Sequence, residues 1–387
     1  MTNIYLIRHA EAEGNLYRRI HGWYDSLITP RGWKQIEALS KRFKDVHIDA
    51  VYSSDLMRTQ MTASSIFIPH GLPLHTMPEL REVNMGAWED ITWAEVERDM
   101  PDQLEYFNFD PEKWSIEGGE ELSHLQKRIK STVLEIASRH EGQNVAAVSH
   151  GTAIRALIAE VENVPSREIS SIPHCDNTGV TLLHVQGEDI EVEYYGDISH
   201  LPEEISTLKR QVWWKNSGGK DKNSLYFRKI ETEADRSFYM SCRKEQWHAD
   251  FPEADMPAEF LERFERNQGQ TYTAFYGDKP MGIIELDAAK SAADRDRGYI
   301  EFYFVSPEYR GGGLGGQLIG QAISDFRKEK KEYVEISIPY VARENCGFFE
   351  HYGFRPCGMV EDGGREMVRM ELDISYNWLR HHEVMYV

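Results

Sequence analysis

The segment that most restricts the fold of this chain is a short apolar run at residues 4–7, which leads directly into Arg8 and His9. An apolar run of this length is typical of a buried β-strand. In an open α/β sheet, the side chains that bind ligands stand at the carboxyl ends of the strands. A histidine beside an arginine at such a place indicates phosphoryl chemistry, because imidazole can attack phosphorus and guanidinium can hold two phosphate oxygens.

Strands and helices alternate through the first half of the sequence. Apolar runs predict strands at residues 4–7, 50–53, 145–149 and 180–185. Periodic apolar positions predict helices at residues 29–43, 56–67, 120–139 and 152–161, then a terminal helix at 197–214 and a polar linker at 217–223. This alternation predicts a mostly parallel sheet covered by helices on both faces.

The second half has a different order of elements. Strands are predicted at residues 225–230, 272–275, 281–286, 299–305, 333–338, 354–360 and 366–373, and helices at 232–248, 257–267, 316–330 and 343–351. A length of 387 residues suggests two or three domains. We predict a first domain at residues 1–200, a helix and linker at 201–223, a second domain at 224–375 and a C-terminal tail at 376–387.

The chain is acidic, with a formal net charge of −20, so its surface repels nucleic acid and anionic membranes. No apolar run approaches the roughly 18 residues of a membrane span, and no signal peptide is apparent. The four cysteines show no Cys-x-x-Cys pairing, which favours reduced thiols over a zinc site. We therefore expect a cytoplasmic protein without nucleic-acid or membrane partners. Nothing in the sequence specifies the oligomeric state.

Several later positions accompany the Arg-His pair in a consistent order: Asn15, Arg58 in the first turns of a helix, Glu82 in a loop, His150 at a strand end, and the segment 177–183. Together they resemble the histidine phosphatase superfamily, the clan that includes the phosphoglycerate mutases, over about residues 1–200. The run at residues 21–32 is also similar to that family.

This resemblance implies an α/β fold for the first domain, with three layers in αβα order as in the phosphoglycerate mutases. It implies metal-independent hydrolysis of a phosphomonoester, with His9 as the nucleophile that forms a phosphohistidine. Glu82 would be the general acid that protonates the leaving alkoxide. The residues that would hold the phosphoryl group are Arg8, Asn15, Gly22, Arg58 and His150.

The chemistry of phosphoryl transfer supports these roles. A loose transition state mainly needs in-line positioning and charge neutralisation, which guanidinium and imidazole groups can supply without metal. His9 must attack with an unprotonated nitrogen, so we expect its other nitrogen to donate to a backbone carbonyl. Glu82 must hold a proton, which partial burial beside Trp88 would favour. Ala10 stands where the family usually has Gly, so the backbone there must be ordinary.

A phosphoglycerate-type mutase is the alternative for this domain. We favour the phosphatase because the segment around Glu82 resembles the phosphatase branch, and the interval between Arg58 and His150 shows no room for the mutase's extra segment. Residues 83–118 are the expected lid that sets specificity. Glu89 is expected to cap or pair locally. Five histidines lack a surrounding motif and are expected to be solvated or core residues: His21, His47, His70, His75 and His124.

A glycine-rich run follows the strand predicted at residues 299–305. Clustered glycines let backbone N–H groups approach a pyrophosphate, and a helix N-terminus favours its charge. This run and the segment 348–354 resemble the acyl-CoA loop and the closing helix and strand of the GNAT N-acetyltransferases, over roughly residues 224–373. The resemblance implies a mixed α+β fold and acetyl-CoA binding by Val305, Arg310, Gly311, Gly312, Gly313, Leu314, Gly315 and Gly316. The pantetheine arm would enter between strands splayed after Val305 and at residues 335–338.

The groups for acetyl transfer are less well defined by the sequence. Glu301, on the central strand, is either the base that takes a proton from the acceptor amine or a strand carboxylate that faces solvent. The family often has Tyr as the acid where Phe349 stands, and Tyr352 would point elsewhere on its helix. Asn345 either contacts the cofactor or caps the helix start.

These patterns predict a bifunctional enzyme, in which a phosphoric monoester hydrolase of the histidine phosphatase type is fused to an N-acetyltransferase. Its expected ligands are a small phosphate ester, acetyl-CoA and an amine acceptor, with no metal. Because Phe349 lacks the family hydroxyl, the alternative is a phosphatase regulated by a CoA-binding GNAT domain that is catalytically weak.

Overall fold

The computed structural model of the protein describes residues 1–211 and 223–378. These residues form two compact units, the first comprising residues 1–91 and 96–211 and the second residues 92–95 and 223–378. The domain boundaries at residues 200, 223 and 375 stay predictions. The linker predicted at 217–223 lies outside the described residues except for Asn223, and the tail predicted at 376–387 lies outside them from residue 379.

Six strands form the sheet of the first unit: β1 (Thr2–Arg8), β2 (Ala50–Ser53), β3 (Leu74–Thr76), β4 (Asn144–Ser149), β5 (Val180–Gln186) and β6 (Asp189–Asp197). Their order across the sheet is β3-β2-β4-β1-β5-β6. The pairs among β3, β2, β4 and β1 are parallel, and β5 and β6 continue the sheet antiparallel. The predicted mostly parallel sheet is therefore confirmed.

The helices of this part of the chain are α1 (Glu13–Tyr17), α2 (Pro30–Phe43), α3 (Met57–His70), α4 (Trp93–Asp99), α5 (Pro101–Phe109), α6 (Leu122–Arg139), α7 (Gly151–Val161) and α8 (Thr207–Arg210). Pro30 suits the first helical position of α2 because its φ is preset, and Thr29 caps the helix by accepting from the Gly32 N–H. In the described ranges, no helix is long and apolar enough to cross a membrane.

Both faces of this sheet are buried. Ile7 packs with Leu39 of α2 and Ile66 of α3 in one core cluster. Ile4 and Leu6 point to the opposite face, because side chains alternate along a strand, and they are also fully buried. The α6–α7 pair contacts β1. Helices therefore cover both faces, as the αβα prediction requires.

The parallel strands bring three chain segments to one edge of this sheet. In register, Arg8 of β1 lies beside Ser149 of β4, and Ser53 of β2 lies beside Val148. Each strand end leads into a loop or a helix start, so His9, the start of α3 and the start of α7 lie at the same edge. The topology thus gathers the predicted phosphate-binding residues from segments far apart in sequence.

The predicted terminal helix at residues 197–214 was wrong. Residues 189–197 instead form β6, a strand that was not predicted. In the described part of the range, which ends at residue 211, α8 is the only α-helix. Alternating exposed and half-buried residues on β6 explain the miss, because an edge strand with few apolar positions lacks a clear strand signal. The short elements β3, α1, α4 and α5 were also missed.

Seven strands form the sheet of the second unit: β7 (Tyr226–Lys229), β8 (Thr271–Tyr276), β9 (Lys279–Leu286), β10 (Arg297–Val305), β11 (Tyr333–Pro339), β12 (Arg355–Asp362) and β13 (Arg365–Asp373). Their order is β12-β13-β11-β10-β9-β8-β7. Only the β10–β11 pair is parallel in this sheet. The accompanying helices are α9 (Glu233–Asp250), α10 (Glu259–Asn267), α11 (Ala288–Ala293), α12 (Gly316–Lys328) and α13 (Cys346–His351).

The parallel pair opens part of the way along the sheet. β10 and β11 pair from Arg297 with Tyr333 to Ile300 with Ile336, and no further. Beyond that point β10 stays paired with β9, after a bulge between Ile300 and Phe302, and β11 stays paired with β13. The opening therefore begins at Glu301. The predicted opening after Val305 was wrong by four residues, because the strand pattern does not reveal where pairing stops.

Candidate active sites

A buried cluster of basic side chains lies at the sheet edge of the first unit. The His9 and His150 rings have centroids 5.3 Å apart, and His9 is almost fully buried. Arg58, on the first turn of α3, is fully buried. Arg8 contacts the start of α7, since a Cβ built on Gly151 would lie 3.2 Å from its Nε. The fold thus brings together residues that sequence reasoning predicted to act together.

The hydrogen bonds of His9 define which nitrogen can attack. Nδ1 lies 2.7 Å from the Ala10 carbonyl oxygen, and a carbonyl can only accept, so Nδ1 carries the proton. Nε2 therefore keeps its lone pair, and the predicted hydrogen bond to a backbone carbonyl is confirmed. Burial, followed by the charges of Arg58 and Arg8, holds the pKa of His9 well below its usual value. The imidazole is neutral at pH 7.

Ala10 fits its place without strain. Its backbone is not in the left-handed region, so the predicted ordinary conformation is confirmed. The Ala10 N–H donates to Thr62 Oγ1 at 2.9 Å, and its carbonyl holds His9. Both backbone polar groups of Ala10 are therefore hydrogen-bonded.

Arg58 is held by a loop whose backbone carbonyls accept hydrogen bonds from its guanidinium. Its Nη2 donates to the carbonyls of His21 (3.0 Å) and Gly22 (2.6 Å), and its Nη1 donates to that of Tyr24 (3.0 Å). The Asp25 carboxylate stands 4.0 Å away and accepts from the N–H of Met57, the first residue of α3. These three carbonyls therefore fix the orientation of the guanidinium.

The same loop is bound on its other side by Glu89. This carboxylate accepts from three consecutive backbone N–H groups, those of Gly22 (3.0 Å), Trp23 (2.6 Å) and Tyr24 (2.8 Å), and also from that of Met85 (3.0 Å). Successive N–H groups that converge in this way form an anion-binding nest. The predicted local cap or pair is therefore met only at Met85, and Glu89 mainly holds the distant loop whose carbonyls orient Arg58.

Gly22 and Asn15 differ in how they meet the cluster. The N–H of Gly22 already donates to Glu89, so its observed role is to hold the loop, and its predicted contact with phosphate stays a prediction. Asn15 Oδ1 lies 3.5 Å from Nδ2 of Asn177. Asn177 is fully buried and donates to the His9 carbonyl at 2.9 Å. Asn177 lies in a segment that resembles the family, but the sequence alone predicted no role for it.

His150 precedes α7 and offers one ring nitrogen to a ligand. Its Nε2 lies 2.8 Å from Ser54 Oγ. Its Nδ1 is buried and, within the described ranges, has no hydrogen-bond partner. Burial, followed by the charge of Arg58, lowers the pKa of His150 well below its usual value. A neutral imidazole in this position can donate to a phosphoryl oxygen through Nδ1.

Glu82 lies at the N-terminus of α7. Its carboxylate oxygens accept from the N–H groups of Thr152 (2.9 Å) and Ala153 (2.8 Å), directly after His150. The start of this helix therefore orients Glu82. Trp88 is fully buried and meets Phe107 and Trp114 edge to face, and its expected packing beside Glu82 stays a prediction.

His21 is a member of the cluster that sequence reasoning missed. Its ring lies 5.6 Å from that of His9, edge to face. The absent side chain at Gly14 makes room for it, because a Cβ there would lie 2.3 Å from the His21 ring. Burial, then the charges of Arg58 and Arg8, lowers its pKa well below the usual value. Its position directly before Gly22, in a run that resembles the family, was the available signal.

A cavity of about 1070 Å³ lies in the second unit. It extends along the opening between β10 and β11 and reaches the glycine-rich loop. The predicted site residues on its wall are Glu301, Val305, Arg310, Gly311, Gly313, Gly315 and Asn345. One elongated space therefore joins the loop predicted for pyrophosphate to the carboxylate predicted for amine deprotonation.

The loop needs glycine for its backbone. Gly311 and Gly313 have φ values of +78° and +79°, a region that other residues rarely adopt. Arg310 folds back and donates from Nε to the Val305 carbonyl at 2.8 Å. The Val305 carbonyl thus already accepts a hydrogen bond within the protein. The loop itself ends at the start of α12.

Glu301 faces the cavity and not open solvent, because its side chain is only 13% exposed. Oε1 accepts from Arg263 (3.2 Å) and lies 3.4 Å from Nη2 of Arg243. Arg243 is itself held by the buried Glu285 at 2.8 Å. Burial raises the pKa of Glu301, and the charge of Arg243 opposes that rise. A raised pKa suits a base, because proton transfer is most efficient when the pKa lies near the working pH.

Aromatic residues line the other wall. Phe349 is buried and meets the Tyr303 ring at 5.3 Å. Tyr303 donates its hydroxyl to the Gly315 carbonyl at 2.9 Å. The expectation that Tyr352 points away was wrong, since its ring packs on Gly316 and lines the cavity. Asn345 makes no side-chain cap to α13 and stands exposed at the cavity wall, which removes the capping alternative.

Three potential metal ligands meet elsewhere in this sheet. Glu335, Cys357 and Glu371 have ligand atoms within 4.8 Å of one another. Both carboxylates are already paired, Glu335 with Arg369 at 2.9 Å and Glu371 with Arg297 at 2.8 Å. We therefore assign no metal to this group.

Comparison with known families and proteins agrees with this geometry. The model of the histidine phosphatase superfamily (branch 1) matches residues 4–198, and that of the acetyltransferase (GNAT) family matches residues 236–354. Phosphoserine phosphatase 1 of Hydrogenobacter thermophilus is 31% identical over 48% of this chain and 88% of its own length. The metal-independent phosphoserine phosphatase of Arabidopsis thaliana is 30% identical over 52% of this chain and 84% of its own length.

A solved structure, YhfR of Bacillus stearothermophilus, is also similar to the first unit. It covers 52% of this chain and 99% of its own length, with 33% identity and a TM-score of 0.50. The phosphoglycerate mutase-like fold predicted for the first domain and the mixed fold predicted for the second are both confirmed. The chain therefore belongs to the histidine phosphatase superfamily (branch 1) and carries a GNAT-family acetyltransferase domain in its second half.

Proposed function

We propose that the first domain hydrolyses phosphomonoesters through a phosphohistidine at His9. The observation that carries this proposal is the hydrogen bond from His9 Nδ1 to the Ala10 carbonyl, which leaves Nε2 unprotonated beside two guanidiniums. Arg8, Arg58 and His150 provide the charge and the hydrogen-bond donors that a dissociating phosphoryl group needs. Because these groups supply the neutralising charge, the step requires no metal ion.

Two displacements complete the reaction. In the first, Nε2 of His9 bonds to phosphorus while the P–O bond to the alcohol breaks, and Glu82 gives its proton to the departing oxygen. In the second, a water oxygen attacks phosphorus, Glu82 takes one of its protons, and the P–N bond breaks with its electron pair returning to Nε2. Inorganic phosphate leaves, and both residues regain their starting states.

The relatives indicate the class of substrate. Two of them are named phosphoserine phosphatases, so we propose a small phosphomonoester of that kind for this chain. A mutase would instead need a bisphosphorylated primer and would release little phosphate. Net phosphate release therefore separates these two functions.

Replacing His9 by Ala should reduce phosphate release by roughly a thousandfold or more, because the attacking atom is lost. The measurement is phosphate released from a panel of phosphomonoesters in the presence of EDTA. His47→Ala is the matched control, since the His47 side chain is 79% exposed. Residual turnover in His9→Ala close to that of the unaltered protein would exclude the phosphohistidine.

Replacing Glu89 by Gln should lower kcat/KM for every ester by about tenfold, because a carboxamide can no longer accept from all four backbone N–H groups that position the Arg58 loop. Affinity for inorganic phosphate as an inhibitor should fall in parallel. Glu37→Gln, with its exposed side chain on α2, is the control. An unchanged kcat/KM in Glu89→Gln would show that the loop does not depend on this carboxylate.

We further propose that the second domain transfers an acetyl group from acetyl-CoA to an amine. When bound, acetyl-CoA would supply the activated thioester. Backbone N–H groups of residues 311–316 would bind its pyrophosphate, and the opening between β10 and β11 would admit the pantetheine arm; the positive φ values of Gly311 and Gly313 and the cavity along that opening support this. Glu301 would take the proton from the amine. Phe349 has no hydroxyl to protonate the CoA thiolate that leaves. The candidates for that proton transfer are the hydroxyls of Tyr303 and Tyr352.

Replacing Gly313 by Val should weaken acetyl-CoA binding by roughly tenfold, because a β-branched residue is strained at positive φ. Gly277→Val is a closely matched control. Gly277 also has a positive φ and open space around it, but it lies in the turn between β8 and β9. Calorimetric titration with acetyl-CoA should separate the two variants, and equal binding by both would remove the loop from the cofactor site. Phosphate release should be the same in both.

The position of Phe349 favours a second reading, in which the domain binds CoA to regulate the phosphatase. Titrating acetyl-CoA while following phosphate release distinguishes the two. A change in phosphatase rate without amine-dependent release of free CoA supports regulation. Amine-dependent CoA release with an unchanged phosphatase rate supports acetyl transfer.

A further inference from the structure

Glu82, the proposed proton donor, stands on a segment with little regular secondary structure. Residues 78–80 form one short turn of 3₁₀-helix, and residues 81–84 belong to no helix or strand. The backbone polar groups of this segment therefore need partners from elsewhere in the protein. The groups that supply those partners determine where the backbone of Glu82 lies, and hence where its carboxyl can reach.

Arg128, on α6, supplies three of these partners. Its Nη1 donates to the carbonyls of Glu79 (2.7 Å) and Arg81 (3.0 Å). Its Nη2 donates to the carbonyl of Glu82 itself at 3.1 Å. One guanidinium thus holds the chain at Glu82 and at two of the three residues that precede it.

Two further side chains hold the same segment. Ser149, at the end of β4, donates its hydroxyl to the Leu80 carbonyl at 2.8 Å. The Trp23 indole donates from Nε1 to the Glu82 carbonyl at 2.9 Å. Each of the four consecutive carbonyls of residues 79–82 therefore accepts a hydrogen bond from a side chain that is distant in sequence.

Glu120 is the counter-charge of Arg128 and binds the chain on the other side of Glu82. Its carboxylate accepts from Nε (2.9 Å) and Nη2 (2.6 Å) of Arg128, and also from the N–H of Asn84 (3.3 Å). The Glu120 N–H donates to the Asn84 carbonyl at 2.9 Å. Both side chains of the ion pair are largely shielded from water, where charge-assisted hydrogen bonds are strong. The pair therefore fixes the backbone before and after the proton donor.

We propose that Arg128 is a positioning residue, which holds Glu82 where its carboxyl can protonate the oxygen of the departing alcohol. A guanidinium carries five N–H donors in a rigid plane, so one side chain can fix several carbonyls at once. Arg58 is oriented by three carbonyls of its loop, whereas Arg128 uses three carbonyls to orient a loop. This inference rests on the proposed function, in which Glu82 donates the proton.

The consequence is a dependence on the leaving group. p-Nitrophenyl phosphate and p-nitrobenzyl phosphate differ by one methylene, but nitrophenolate can leave without a proton and the nitrobenzyl alkoxide cannot. The value of kcat/KM covers the steps up to release of the alcohol, so it reports this proton transfer. Arg128→Met should lower kcat/KM for p-nitrobenzyl phosphate by about tenfold or more, and for p-nitrophenyl phosphate by less than about twofold.

Three variants show whether geometry is the cause. Arg128→Lys keeps the charge but loses the planar fork, so most of the selective loss should persist. Trp23→Phe removes one donor to the Glu82 carbonyl and should cause a smaller loss of the same selectivity, which keeps the test open if Arg128→Met does not fold. Arg139→Met is the matched control, because Arg139 pairs with Glu135 on the same helix and is 52% exposed, and it should leave both rates unchanged.

Equal losses for the two esters in Arg128→Met, or full recovery of both rates in Arg128→Lys, would overturn the inference. Glu82→Gln separates this failure from failure of the proposed function. It should show the same selectivity, and adding Arg128→Met to it should cause little further loss, since both changes act through one group. A selective Glu82→Gln with an unselective Arg128→Met would overturn the inference alone. An unselective Glu82→Gln would remove the proposed proton donor and this inference with it.

Discussion

The first domain depends on one buried guanidinium, that of Arg58. It is fully buried, three backbone carbonyls of residues 21–24 accept from it, and its Nη1 lies 4.0 Å from Asp25 Oδ1. Burial, followed by the charge of Arg58, lowers the pKa of both His9 and His150, which keeps these two rings neutral. Glu89 holds the other side of the same loop, so this acidic residue acts on the site through the loop.

The same arrangement explains how an acidic protein can attract an anion. The net charge of −20 creates a negative field, so a phosphate site must be a local positive pocket with its counter-charges kept away. Here three nearby carboxylates accept hydrogen bonds from backbone N–H groups. Glu89 binds the loop, Glu82 binds the start of α7, and Asp25 binds the start of α3. Glu82 and Asp25 thereby satisfy N–H groups at helix starts that have no partner within the helix.

The second domain uses a different device, which is incomplete strand pairing. β10 separates from β11 after Ile300, but β10 stays paired with β9 and β11 stays paired with β13. The sheet therefore opens at one place while the rest of its strand pairing is kept. The bulge before Phe302 turns Glu301 into the opening. Buried ion pairs with Arg243 and Arg263 then hold this carboxylate in a site that is largely shielded from water. A cavity and a candidate base therefore arise from the same irregularity.

The sequence by itself determined most of the longer strands and helices, because apolar periodicity is a property of short segments. Local motifs also singled out His9, Arg8, Arg58, Glu82 and His150 as candidate site residues. It also determined the glycines of the 310–316 loop. Only the tertiary structure decided what those segments meet. Contacts between segments far apart in the chain set His21 beside His9, bring Glu89 to the amide nest and determine where β10 leaves β11. Such contacts follow from packing and register, which no local pattern encodes.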